Sequence, residues 1–267
     1  MTQIRKPAVA GQFYPARADE LRRAVQSLLN EADPTPGPAP KALVVPHAGY
    51  VFSGPTAAKA YAGLIPHRNR YQRVVLLGPC HYAAIKGIAA SQADTFQTPL
   101  GDIPLAPAAG IHPAVLPFEA AHVREHSLEV QLPFLQTLLS DFDLLPLTVG
   151  EALPEVVAEV IDSLWDGPET LLVISTDLSH FLTYDEAVRI DHQTCSAIEK
   201  MDPGGIGRAN ACGATPLRGL LLAARRRRMR IETIELKNSG DTSGDRSRVV
   251  GYGSWALYEE ESCERAA

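Results

Sequence analysis

Cysteine is scarce in this sequence, and the spacing of its four cysteines excludes two kinds of site. Cys80, Cys195, Cys212 and Cys263 include no CxxC pair. A CxxC pair is the usual core of a zinc knuckle or a thioredoxin-type redox motif, so the sequence indicates neither. In a reducing compartment we expect these cysteines to be free thiols or metal ligands.

Long apolar runs are also missing. The N-terminal stretch MTQIRKPAVAGQFYPA has no apolar core of signal-peptide length, and no later segment approaches the roughly 20 apolar residues of a membrane span. We therefore predict a cytoplasmic protein with no membrane partner.

An excess of positive charge is absent as well. The formal net charge is −6 at pH 7, whereas general affinity for nucleic acid depends on surplus Lys and Arg. The run from Arg225 to Arg228 is an exception, and its place after an apolar stretch favours the cationic end of a helix. We therefore predict no nucleic-acid partner.

Several motifs of common enzyme families do not occur. The chain has no GxSxG elbow, no dinucleotide-binding GxGxxG and no HExxH. Its SGDTSGD loop lacks the lysine of a P-loop. These absences argue against a serine hydrolase, a Rossmann dehydrogenase, a zinc protease and a P-loop enzyme.

What is present is the pattern of an α/β protein. Hydrophobic residues make up 45% of the 267 residues, which is typical of a folded domain. We predict one domain over residues 1–267, in which a helix at Ala18–Glu31 is followed by a Pro-rich internal linker at 31–40.

Strand and helix patterns alternate along the rest of the chain. Apolar runs predict strands at Ala42–Val45, Val74–Leu77, Leu144–Val149 and Leu171–Ser175. Helical spacing recurs at Pro55–Leu64, Ser127–Leu139, Pro154–Leu164, Tyr184–Met201 and Thr215–Arg227. Ile231–Leu236 and Val249–Tyr258 read as two antiparallel strands joined by a flexible loop. The predicted fold class is α/β, a three-layer α/β/α arrangement with a central mixed, mostly parallel sheet.

Residues capable of chemistry follow three of the predicted strands. His47 follows the first, His81 follows the second, and Asp177 and His180 follow the last. Ligands of open α/β sheets bind at the carboxyl ends of strands, so these side chains share one edge if the strands are parallel neighbours. Two imidazoles and an anionic group describe a site for iron, copper or zinc.

Asp177 and one further candidate, Cys212, have alternative interpretations. Asp177 lies three residues before His180, so it is either a ligand, an orienting partner on the same helical turn, or only a cap of its segment. Cys212 precedes an apolar helical stretch, where the helix dipole favours a thiolate ligand or nucleophile, but the sequence alone favours a buried inert thiol, because free cysteine is among the most buried residue types.

Two further residues are pocket candidates. His126 starts the segment HSLEVQLPFL and can reach the rim of the pocket, and Tyr50 in HAGYVFSG places a hydroxyl near His47 unless it packs in the core. The remaining histidines have no comparable context, and we interpret them as surface or structural residues: His67, His112, His122 and His192.

Six segments together resemble the Memo family between about Arg5 and Tyr258: RKPAVAGQFYPA, PHAGYVFSGPTAAKAY, LLGPCHY, EHSLEVQLPFLQ, STDLSHF and ACGATPL. The resemblance implies the fold of class III extradiol dioxygenases, which hold non-haem Fe(II) with two histidines and a carboxylate. It implies that His47 and His81 are metal ligands, that Cys212 replaces the dioxygenase glutamate, and that His180, with Asp177 beside it, occupies the acid/base position.

The cysteine changes the chemistry that the resemblance implies. A thiolate is softer than a carboxylate, favours Cu(I) or Zn while still accepting iron, and is open to oxidation. Ring cleavage is therefore not the expected reaction. In prokaryotes the resemblance further implies a small multi-protein AmmeMemoRadiSam system with a radical-SAM protein and an AMMECR1-type protein.

Two functions remain open from the sequence. The first is a metal-dependent redox enzyme with Fe or Cu on His47, His81 and Cys212, where His180 moves a proton and Asp177 orients it. The second is a non-catalytic binding module whose pocket takes an unknown small molecule or a peptide segment of a protein partner.

Overall fold

The apolar runs form strands and the amphipathic segments between them form helices. In the computed structural model, which describes residues 2–33 and 37–260, the helices are α1 Ala18–Glu31, α2 Tyr50–Ala62, α3 Leu132–Leu138, α4 Pro154–Ser163, α5 Tyr184–Glu199, α6 Ala214–Arg226 and α7 Ser239–Ser243. The strands are β1 Ile4–Arg5, β2 Ala42–Val45, β3 Arg73–Pro79, β4 Ile88–Ala90, β5 Thr95–Thr98, β6 Gly101–Pro104, β7 Val115–Pro117, β8 Asp143–Val149, β9 Thr170–Ser175, β10 His180–Leu182, β11 Arg230–Asn238 and β12 Val249–Tyr258.

One large sheet organises the molecule. Its centre has the order β2-β9-β3-β8, and these four strands are parallel, as predicted. On one side β12 pairs antiparallel with β2, β10 and β11, and on the other β4 pairs antiparallel with β8 and parallel with β7. The mixed sheet is thus confirmed, with a parallel centre and antiparallel pairings on both sides.

The central strands are covered by helices on both faces. Leu43 and Val45 of β2 join an apolar cluster with α1, α2 and α3, whereas Ala42 and Val44 join a second cluster with α4, α5 and α6. Successive side chains of a strand point to opposite faces, so a continuous apolar run such as ALVV requires a cover on each side. The α/β/α arrangement is therefore confirmed.

A second, small sheet was not predicted. It has the order β1-β5-β6 and brings residues Ile4 and Arg5 alongside Thr95 and Phe96. The two-residue β1 is too short to show any period, so only tertiary contacts reveal it.

Two predicted helices have different bounds in the structure. The helix predicted from Pro55 begins at Tyr50, and Pro55 lies inside it. The carbonyl that the proline leaves without a helical partner belongs to Val51, a residue that is 81% exposed, so water can satisfy it.

The helix predicted over Ser127–Leu139 is shorter and irregular. A 3₁₀ turn at Glu129–Gln131 leads into α3. Ser127 cannot start a regular helix, because its N–H binds the Glu125 carboxylate and its hydroxyl donates to the Pro79 carbonyl. Tertiary hydrogen bonds override the helical pattern here.

The loop predicted to be flexible, between β11 and β12, contains the short helix α7. The side chain of Asn238 caps its N-terminus in a capping box with Asp241. Residues 34–36 of the predicted linker, as well as Cys263, lie outside the described residues. None of the helices within 2–33 and 37–260 is long and apolar enough to cross a membrane.

Candidate metal centre

The strand order places three histidine-bearing loops at one edge of the sheet. β9 lies between β2 and β3 and runs parallel to both, so the loops that carry His47, His81 and His180 all leave the carboxyl edge. The condition that the sequence left open, parallel neighbouring strands, is met. The candidate site therefore forms where the chain leaves the sheet.

His47 is almost completely buried and is held by two hydrogen bonds. Its backbone N–H donates to Oδ1 of Asp177 at 2.7 Å, and its Nδ1 lies 2.9 Å from the Ser175 hydroxyl. That hydroxyl already donates to the Ser127 carbonyl and accepts from the Gln131 amide. Nδ1 of His47 must therefore be the donor, which leaves its Nε2 with a free lone pair.

His81 is held by one carboxylate. Glu125 accepts from the His81 backbone N–H at 2.5 Å and from its Nδ1 at 2.9 Å. Because a carboxylate only accepts, Nδ1 carries the proton and Nε2 is free. Burial alone would raise the pKa of Glu125, but the hydrogen bonds from His81 and Ser127 lower it to about 2. This carboxylate–histidine pair is typical of metal sites, where it fixes the ring that ligates.

His126 completes a cluster of three imidazoles. One ring nitrogen from each of His47, His81 and His126 lies within 4.8 Å of the other two. The His126 ring stacks on His81 at a centroid distance of 4.7 Å and packs against Phe13 at 4.8 Å. The sequence placed His126 only at the rim, whereas the irregular turn before α3 brings it into the centre.

Burial favours the neutral, metal-ligating form of two of the rings. Burial lowers the pKa of His47 well below its usual value, and the neighbouring His126 and His81 lower it further. Burial also lowers the pKa of His126. Nδ1 of His126 is buried and makes no hydrogen bond among the described residues, although Oε1 of Glu125 lies 3.5 Å from it. A buried polar atom without a partner is costly unless something else binds it.

Cys212 lies beside this cluster. Its Sγ is 3.3 Å from Nε2 of His47, close to the roughly 3.5 Å that separates nitrogen and sulfur ligands on one tetrahedral zinc ion. It is not part of the three-histidine group within the described residues, so its contact with the cluster is through His47. The nitrogen and sulfur donors present fit zinc or a soft transition metal.

The helix-dipole argument for a Cys212 thiolate is wrong for the metal-free protein. Cys212 does precede α6, as predicted, but burial and the nearby Asp177 carboxylate raise the pKa of its thiol to about 12. Desolvation therefore outweighs the helix terminus, and the residue carries a neutral thiol. A metal would have to displace its proton.

Asp177 and His180 do not share a helical turn. Asp177 lies in a loop, where its carboxylate accepts the His47 N–H and its backbone N–H donates to Cys212 Sγ at 3.3 Å. His180 opens β10, and its Nδ1 donates to the Leu178 carbonyl at 2.7 Å. Asp177 thus positions the His47 and Cys212 segments, and its Oδ2 lies 3.9 Å from Nε2 of His47; among the described residues it makes no hydrogen bond to the His180 ring.

Tyr50 does not direct its hydroxyl to the histidines. The hydroxyl donates to the Val130 carbonyl at 2.8 Å, and the ring packs against Tyr14 and Phe134. The core alternative is therefore correct, because the first turn of α2 points this side chain inward. His122 is structural, as predicted: it is buried, and its Nε2 lies 3.1 Å from the Ala89 carbonyl.

A pocket of 440 Å³ opens beside the cluster. His81 and Cys212 line its inner side, and Ile85, Glu151 and Arg208 lie around it. A molecule in this pocket can reach the side of the cluster formed by His81. The pocket thus provides a path between solvent and the candidate centre.

Sequence reasoning missed two supports of the site, Glu125 and Gln131. Neither residue directly follows a predicted strand, which is the position that indicated His47 and His81. The available signal was that both lie near His126 in a short segment rich in polar residues. The structure buries four of them: Glu125, Ser127, Glu129 and Gln131.

Comparison with known proteins agrees with this architecture. A family model described as Memo-like protein matches residues 5–256. A MEMO1 family protein of Aquifex aeolicus is 36% identical over 266 residues, covering 94% of this chain and 97% of that protein. MEMO1 family proteins of Methanosarcina mazei and Aeropyrum pernix are also 36% identical, covering 94% of this chain and 97% and 98% of those proteins. This chain belongs to the Memo family.

Proposed function

We propose that this protein is a metal-dependent oxidoreductase whose iron or copper ion is held by His47, His81 and His126, with Cys212 as a further ligand. The observation that supports it most is the set of three imidazole nitrogens within 4.8 Å of one another at the carboxyl edge of the sheet. Zinc is the alternative metal, since the same donors suit it.

The protein's own groups have distinct tasks in this proposal. When bound, the metal supplies a Lewis acid and a redox centre. His180 donates Nδ1–H to the Leu178 carbonyl, so its Nε2 is the atom that accepts and returns a proton. Asp177 holds the His47 backbone in place. Substrate enters through the pocket beside His81.

Metal content tests the ligands. The protein is purified without added metal, and bound iron, copper and zinc are measured by mass spectrometry in the wild type and in His47→Ala, His81→Ala, His126→Ala and Cys212→Ala. We expect loss of metal in the three histidine variants and weaker binding in the cysteine variant. The exposed His192→Ala is the matched control and keeps its metal. Wild-type metal content in all four variants would rule out this centre.

Oxygen consumption tests catalysis. Protein loaded with iron or copper under anaerobic conditions is mixed with O₂ and a reductant, and the initial rate is compared with that of His180→Ala. We expect a slower rate in the variant at equal metal content, because it lacks the proton-transfer group. Equal rates would contradict a role of His180 in redox chemistry.

A second candidate function is a binding module, and one observation favours it. Tyr82 and Phe181, which directly follow His81 and His180, are 51% and 61% exposed. Arg124 lies over the Tyr82 ring at 5.1 Å and Arg248 over the Phe181 ring at 5.0 Å. Exposed aromatic and arginine side chains are typical of surfaces that bind a peptide or protein partner. Equal oxygen rates together with retained metal would favour this function.

We also propose that the protein acts with a radical-SAM protein and an AMMECR1-type protein. This part rests on the family alone. Co-expression of the three proteins from one genome, followed by size-exclusion chromatography, tests it: we expect a common peak, and three separate peaks would contradict a stable complex.

A further inference from the structure

Arg5 is a buried cation at the start of the chain that contacts one short segment far along the sequence. Its Nε donates to the His122 carbonyl at 2.9 Å, and its Nη2 donates to the Glu125 carbonyl at 2.6 Å. Its Nη1 pairs with the Glu129 carboxylate, and both side chains are buried. The planar guanidinium therefore contacts three residues of the segment 122–129 at once.

The segment 122–129 carries two parts of the histidine cluster. His126 lies within it and supplies one imidazole. Glu125 also lies within it, and its carboxylate holds the backbone N–H and Nδ1 of His81. The position of this segment thus decides where two of the three rings stand.

Few backbone hydrogen bonds hold the segment in place: the Glu125 N–H donates to the His122 carbonyl at 3.2 Å, and the Val130 N–H donates to the His126 carbonyl at 3.0 Å. It runs from the end of a 3₁₀ turn at Glu119–Ala121 to the start of another at Glu129–Gln131, so no continuous helix sets its path. The carbonyls of His122 and Glu125 accept from Arg5, and buried carbonyls need such partners. Arg5 therefore adds two side-chain hydrogen bonds to a segment that has few backbone ones.

We propose that Arg5 is a positioning residue of the metal centre, acting through the segment 122–129 on His126 and, by way of Glu125, on His81. This inference rests on the proposed metal site. It does not require catalysis, and Arg5 itself does not contact the histidine cluster.

Arg5→Lys is the test variant, because lysine keeps the charge beside Glu129 but cannot present the planar fork that reaches both carbonyls. Tyr14→Phe is the matched control. The Tyr14 hydroxyl donates to Oε1 of the same Glu129 carboxylate at 2.5 Å, yet it leaves the two carbonyl contacts untouched.

Zn²⁺ affinity is measured by competition with a chromophoric chelator, alongside the midpoint of urea unfolding without metal. We expect Arg5→Lys to weaken zinc binding at least tenfold, the lower bound for loss of a group that orients metal ligands. We expect Tyr14→Phe to lower the unfolding midpoint while its zinc affinity stays within about twofold of the wild type, because the carbonyl contacts persist. Wild-type affinity in Arg5→Lys, or a loss that follows the midpoint equally in both variants, would overturn the inference.

A second measurement needs no metal. Two-bond ¹H–¹⁵N correlation spectra of the metal-free protein report each imidazole separately. Arg5→Lys should shift the ring signals of His81 and His126 and leave those of His67 and His192 unchanged. Unshifted His81 and His126 signals would overturn the inference. If instead the wild type binds no zinc while these signals shift, the proposed function fails and the positioning role of Arg5 stands.

Discussion

The network around Glu129 and the cluster of His47, His81 and His126 are both buried and polar, but they differ in how completely their hydrogen bonds are satisfied. The Glu129 carboxylate accepts from the Arg5 guanidinium, the backbone N–H groups of Ala8 and Val9, and the Tyr14 hydroxyl. In the histidine cluster one nitrogen of each ring lies within 4.8 Å of the other two, and Nδ1 of His126 makes no hydrogen bond among the described residues. A satisfied network stabilises the fold, whereas an unsatisfied cluster is suited to bind something else.

The largest expected effect is on the satisfied cluster. Glu129→Gln removes the charge that pairs with Arg5 and leaves that cation buried, which should lower the free energy of unfolding by about 3–5 kcal/mol. Urea unfolding of the metal-free protein measures it. The exposed Glu20→Gln on α1 is the control, with a change below about 0.5 kcal/mol. A small loss in Glu129→Gln would contradict the structural role of this network.

Acid should weaken the same region through His122. Burial lowers the pKa of His122 from 6.5 to about 4. The unfolded chain therefore takes up a proton as the pH falls through 6.5, while the folded protein does so only near 4, so stability is lost across this window, by up to about 3 kcal/mol.

Urea unfolding between pH 7 and pH 4 checks this expectation. His122→Gln should show a shallower decline in stability than the wild type, since it removes the group that titrates. The exposed His192→Gln is the control and should follow the wild type. Identical pH profiles for His122→Gln and wild type would show that another group causes the loss.

The unsatisfied cluster should respond in the opposite way to loss of a polar group. His126→Leu should change the metal-free unfolding free energy by less than about 1 kcal/mol, because it removes a buried nitrogen that makes no hydrogen bond among the described residues. It should abolish the stabilisation by metal, which is about 2.7 kcal/mol at a hundredfold excess over Kd. Unfolding with and without Zn²⁺ measures both. A large decrease in the unfolding free energy without metal would show that His126 stabilises the fold instead.

The smallest effect should come from Tyr50, which lies next to the histidines in sequence but in the core in space. Tyr50→Phe removes one buried hydrogen bond to Val130 and should cost about 1 kcal/mol of stability. Zinc affinity should stay at the wild-type value. A weaker zinc affinity would show that Tyr50 contributes to the metal site as well as to the core.

Much of the fold followed from sequence periodicity. The four parallel strands of the sheet centre read as apolar runs because they are buried on both faces, and α1, α4, α5 and α6 lie within a residue or two of their predicted bounds. The exceptions are α2 and the turn before α3. There, tertiary hydrogen bonds and solvent exposure decide the conformation, and neither produces a hydrophobic periodicity in the sequence.

The candidate site was predicted in part. Position after a strand indicated His47 and His81, because the carboxyl ends of parallel strands gather at one edge. This criterion did not indicate His126 as a central member, because His126 lies in a segment that follows no predicted strand. The sequence also left open whether Cys212 is buried. Burial, rather than the helix terminus, determines the pKa of its thiol.

The sequence by itself determined the class of fold, the edge of the sheet where chemistry gathers, and the family. Only the tertiary structure decided which nitrogens meet and which carboxylates hold them. Periodicity reports whether a side chain faces a core, whereas hydrogen bonds such as those from Arg5 to the His122 and Glu125 carbonyls join groups more than a hundred residues apart. Such contacts depend on the path of irregular segments, which no local pattern encodes.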